Sequence, residues 1–64
     1  MNATESHPVI RTALEWWRAS GERTHERLER LVWHWGTAYG YSTAQISRLA
    51  LDAKASVKVE NAVR

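Results

Sequence analysis

The chain has no cysteine, a single proline and no long apolar run, and each absence removes a class of architecture. Without cysteine there is no disulfide, and three scattered histidines make no zinc framework, so the usual staples of a small domain are missing. Neither a metal nor a cofactor is expected. A cysteine-free composition fits a reducing compartment, and no segment approaches the roughly 20 apolar residues of a membrane span. The polar opening Met1–Ser6 has neither the basic nor the apolar part of a secretory signal. A cytoplasmic protein with no membrane partner is therefore expected. Catalytic patterns are missing as well. Asp52 is the only aspartate, His25 is followed by Glu29 where a His-Glu-x-x-His pair needs a second histidine, and no glycine-rich phosphate loop follows a strand. His25 and Glu29, four apart, suit a surface pair, and His7 and His34 have no evident ligand partners. No enzymatic activity is expected.

What remains is helix. The 64 residues form one domain, 1–64, and a chain of this length buries only about 60% of its unfolded surface, so its own core is marginal. Self-association is the remaining common support, and a homodimer is expected. Residues 1–6 read as a disordered start. Val9, Ile10, Ala13, Leu14 and Trp17 recur at helical spacing behind Pro8 and a Ser6 cap, which predicts a first helix over 8–20. Leu28, Leu31, Val32, Trp35 and Tyr39 form the next stripe, over 24–39. Ile46, Leu49, Ala50, Ala53 and Val57 form a third, over 43–62, with no glycine or proline to interrupt it.

The fold class is thus all-α, with either three helices or two. Gly21 reads as a helix stop and Thr24 as a new cap with Glu26 behind it, giving three. Alternatively Ile10, Leu14, Trp17, Gly21, Thr24, Leu28, Leu31 and Trp35 keep the four-and-three spacing of a coiled-coil seam, and one long helix would run through Gly21. The break is preferred because serine, glycine and threonine all disfavour helix interiors.

The corner at Gly40-Tyr41-Ser42 carries three separate signals. Gly40 follows a helical stripe where glycine takes a left-handed conformation without penalty. Ser42 and Gln45 form a capping box, and Tyr41 can staple onto Ile46. Val32 to Leu51 resembles the DNA-binding helix-turn-helix of small phage and bacterial regulators. In that family a small residue stands four before the turn glycine, here Gly36 before Gly40, and apolar residues follow at fixed offsets, matched by Tyr41, Ile46 and Leu49. The helical stripe before the corner is longer than the family's, and Tyr41 stands where a small aliphatic residue is usual. The resemblance implies a transcriptional regulator that binds DNA as a dimer. It places Thr43, Ala44, Ser47 and Arg48 toward a major groove, with Ser42 and Lys54 as phosphate contacts.

Charge and tryptophan point two ways. The net charge is only +2, and the arginines and glutamates of the first 42 residues balance; the surplus lies in Arg48, Lys54, Lys58 and Arg64 against Asp52 and Glu60. A dedicated DNA binder usually carries a clear basic stripe. Four tryptophans are many for this length. Trp17 and Trp35 lie on apolar stripes, Trp16 at the edge of one, and Trp33 on the polar side of its helix. Tryptophan and arginine are enriched at binding hot spots, so Trp16, Trp17 and Trp33, with Leu51 beside Arg48, are the candidate dimer or partner surface. In size, helical makeup and surface tryptophan the chain also resembles small phage-encoded inhibitors of host regulators, such as quorum-sensing anti-activators. That likeness implies the alternative function, an inhibitor that binds and blocks a host regulatory protein.

Overall fold

The computed structural model describes residues 7–62, with side chains as far as Val57. The expected disordered start at 1–6 and Arg64 lie outside these described residues, and Lys58 and Glu60 lie in the part of the chain whose side chains are not described. The described chain is three helices with no strand: α1 (Pro8–Ser20), α2 (His25–Ala38) and α3 (Thr43–Ala62).

α1 starts one residue later than a Ser6 cap would require. His7 is the N-cap, and its Nδ1 accepts the Val9 amide at 3.2 Å. Pro8 explains the shift. A proline disfavours helical backbone in the residue before it, and His7 is extended, so the non-helical capping position falls at 7. The first turn then carries Pro8, whose missing N–H costs nothing there.

The helix stops at Ser20 because Gly21 takes φ +81°, which excludes the single long helix. Ser20 tightens the stop by donating its hydroxyl to the Trp17 carbonyl at 2.8 Å. The connection is then held from both sides. Trp17 donates its indole N–H to the Thr24 carbonyl at 2.8 Å, while the Thr24 hydroxyl accepts the Arg27 amide at 3.1 Å and caps α2.

The core is the apolar face of each helix turned inward: Val9, Ile10, Ala13, Leu14 and Trp17 from α1, Leu28 and Val32 from α2, and Ile46, Leu49, Ala50, Ala53 and Val57 from α3. Leu31, Trp33, Trp35 and Tyr41 pack around it half-buried. α2 lies between the other two, with α1 and α3 touching each other less.

α2 and α3 meet closely at Gly36. A Cβ placed there would lie 2.6 Å from Ile46 Cγ1 and 3.0 Å from Cδ1, so no larger residue fits without moving Ile46. The corner that makes this approach possible has Tyr39 as the α2 cap and Gly40 at φ +86°. The Tyr41 amide donates to the Gly36 carbonyl at 2.9 Å and the Gly40 amide to Thr37 at 3.1 Å, which satisfies two of the orphan carbonyls of the α2 end. Ser42 then opens α3. Its amide donates to Gln45 Oε1 at 3.0 Å and its hydroxyl accepts the Gln45 amide at 3.3 Å.

Gly40→Val is expected to lower stability by roughly 1 kcal/mol or more, because a β-branched residue resists positive φ although open space surrounds the site. Thermal unfolding checks this, and an unchanged midpoint would contradict the role given to the corner.

Candidate nucleic-acid interface

The buried side of α3 fixes what its other side presents. Ile46, Leu49, Ala50, Ala53 and Val57 all turn inward, so Thr43, Ala44, Ser47 and Arg48 are left on the outward edge, and all four are exposed. Leu51 continues this edge with 59% of its surface open. The capping box decides the availability of Ser42, because its hydroxyl also lies 3.2 Å from Gln45 Oε1 and its amide is bound to the same oxygen.

The two cations differ. The Arg48 side chain is 78% exposed, with Nε 3.7 Å from Asp52 Oδ1 one turn further on. An exposed i,i+4 pair of this kind contributes only about 0.3–0.5 kcal/mol, so the guanidinium is readily recruited elsewhere. Lys54 extends the flank of Thr43 and Ser47, but its ammonium crosses to α2 and meets Glu29 Oε1 at 3.0 Å. It therefore ties α3 to α2 in the free protein. Both ends of that bond are partly solvated, and releasing it costs about 1 kcal/mol or less.

The tryptophans are distributed differently from their expected surface. Trp17 is 2% exposed and belongs to the core, so it cannot serve as a dimer or partner contact. The reason is its position at the centre of the α1 stripe together with the indole bond to Thr24, which satisfies its polar atom inside the fold. Trp33 lies on the polar side of α2, in a recess with Glu26, Glu29 and Arg30, yet it packs half-buried against the core and is no projecting anchor. Trp16 does project, 56% exposed, and it does not stand alone. It stacks on Trp35 with ring centroids 6.2 Å apart; Trp35 in turn meets Tyr39 at 6.1 Å and, ring perpendicular to ring, His34 at 5.0 Å. Thr12 Oγ1 lies 3.2 Å from the Tyr39 hydroxyl and closes the strip across α1 and α2. The strip was not evident from single stripes, although its signal was present: Thr12 and Trp16 on one helix, and Trp35 and Tyr39 on the next, are each four apart.

The chain matches no protein-family model, no curated protein and no solved structure. Among the described residues no group of three or more His, Asp or Glu side chains is placed to hold a metal ion, and no helix is long and apolar enough to cross a membrane.

The neighbouring indoles make opposite predictions. Trp17→Ala should cost about 3–5 kcal/mol, enough to unfold so small a domain, whereas Trp16→Ala should cost about 0.5–1.5 kcal/mol, the worth of its stacking on Trp35. Urea titration of both variants checks this; equal losses would contradict the division between core and surface.

Proposed function

We propose that the protein binds duplex DNA as a dimer, with the outward edge of the first half of α3 entering the major groove. The observation that supports this reading is the Gly36–Ile46 approach. It seats α3 on α2 through one side and leaves Thr43, Ala44, Ser47 and Arg48 uncovered together, at the positions that the helix-turn-helix resemblance assigns to base reading. The chemistry suits each position. Arg48 offers paired donors to a guanine edge, Thr43 and Ala44 offer methyl groups to thymine, and Ser47 bonds either kind of base. Ser42 and Lys54 are the phosphate contacts, each after exchanging its present partner, Gln45 Oε1 or Glu29, for a phosphate.

One protomer carries too few cations on this edge for firm binding, and a dimer doubles them. The proposed dimer surface is Trp16 with Trp35 and Tyr39. It is formed by α1, α2 and the cap of α2, and leaves the α3 edge of each copy outward.

A second reading, an inhibitor that blocks a regulatory protein, is favoured by one observation. Leu51 is exposed on the same edge, between Arg48 and Ala55, while Lys54 is held by Glu29. An apolar line around one arginine suits a helix-in-groove protein contact.

The two readings separate on salt. Binding selection on genomic fragments at about 50 mM salt should recover a DNA site whose affinity falls steeply toward about 200 mM, and Arg48→Ala should cost about 1–3 kcal/mol on it. The same preparation should scatter light as twice the 7.4 kDa protomer. A folded dimer without measurable DNA binding at low salt would overturn the DNA reading and leave the inhibitor.

A further inference from the structure

Where the start of α1 meets the corner and the first turns of α3, there is an open groove of about 370 Å³, lined by His7, Tyr41, Ala44, Gln45, Arg48 and Leu49. Its volume falls at the small end of ligand sites. Its floor is apolar. Leu49 is buried beneath it, Ala44 adds a methyl group, and the His7 and Tyr41 rings stand 5.4 Å apart at 57°.

The polar groups around this floor are almost all donors. Gln45 has turned its oxygen to Ser42, accepting both the Ser42 amide and hydroxyl, so it can offer the groove only its NH₂ group. His7 Nδ1 accepts the Val9 amide, which places the proton of a neutral ring on Nε2. Arg48 has donors only, and its one ion pair among the described residues is the long, exposed contact with Asp52. Among the described lining side chains only the Tyr41 hydroxyl can accept. A donor rim over an apolar floor is complementary to a ligand with an acceptor-only, anionic head and an apolar body. The planar fork of Arg48 matches a carboxylate in shape as well as charge.

We propose that this groove binds a small monocarboxylic acid with an apolar, ring-sized body, its carboxylate on Arg48 and its body against Tyr41, Ala44 and Leu49. Arg48 leaves Asp52 to do so. The binding stands independently of the DNA reading. Its consequence rests on that reading: Arg48 and Ala44 belong to the proposed base-reading edge, so an acid seated here occupies the guanidinium and competes with DNA.

Benzoate is the probe, titrated into the full chain and followed through backbone amide NMR shifts. Saturable shifts are expected at His7 and across 41–49, with a dissociation constant of about 1 mM, in keeping with so small a ligand. Benzyl alcohol, similar in shape but uncharged, should bind at least tenfold more weakly. Arg48→Gln should lose at least tenfold for benzoate, and Ala44→Phe should abolish binding by filling the groove; both positions are exposed, and unchanged amide spectra elsewhere confirm that each variant is folded. Absence of saturable shifts in the native chain, equal binding of benzyl alcohol, or full binding by Arg48→Gln would each overturn the proposal. In the DNA arm, benzoate should weaken a selected site in proportion to groove occupancy. Saturable benzoate binding by a chain that binds no DNA would keep the acid site and remove only its competition with DNA, whereas DNA affinity unaffected by a saturated groove would overturn that competition.

Discussion

The approach of Ile46 to Gly36 is the constraint on which the arrangement of this protein depends. With no side chain at 36, the first full turn of α3 lies against the backbone of α2, and the Cγ1 atom of Ile46 occupies the space a Cβ would need. Everything that α3 presents follows from that seating. Its inward face is committed to the core by Ile46, Leu49, Ala50, Ala53 and Val57, and its opposite edge is left to solvent from Thr43 to Leu51. The corner serves the same contact, because the positive φ of Gly40 and the Tyr41 bond to the Gly36 carbonyl return the chain within a few residues.

α1 closes the other side of α2 and gives the small core its largest member, Trp17, whose indole bond to Thr24 also holds the connection between α1 and α2. This leaves two surfaces of different character. The α1–α2 side carries a strip of stacked aromatics, and the α3 edge carries short polar side chains, one exposed guanidinium and one exposed leucine. The first suits packing against a protein surface, and the second suits reading a groove or holding a small anion.

Much of the fold was legible in the sequence because its signals are local. The three apolar stripes, the stop at Gly21, the Thr24 cap and the capping box at Ser42 depend on residues within one or two turns of each other, and the helices run Pro8–Ser20, His25–Ala38 and Thr43–Ala62. The first cap is His7 and not Ser6, because the effect of Pro8 on its predecessor outweighs the capping preference of serine. The candidate site was only partly legible. Exposure of Thr43, Ala44, Ser47 and Arg48 follows from helical periodicity, but the Lys54–Glu29 bond spans 25 residues and has no local signature. Likewise helical spacing sets Trp17 at the centre of the α1 stripe and Trp16 at its edge, but the stacking of Trp16 on Trp35, 19 residues away, has no local signature. The groove beside Arg48 joins His7 to the corner across the fold, and no spacing rule reaches that far.

The central claim, that a missing side chain at 36 seats α3 through Ile46, is tested most directly by a double-mutant cycle. Gly36→Ala is measured by urea titration in the native chain and in an Ile46→Ala chain, with sulfate present to keep the latter folded. In the native chain the added methyl should cost about 1–3 kcal/mol through overpacking, even though alanine favours a helix over glycine by about 1 kcal/mol. In the Ile46→Ala chain, where the clashing atoms are gone, the same change should raise stability by up to about 1 kcal/mol. A gain in both backgrounds, or an equal loss in both, would contradict the account.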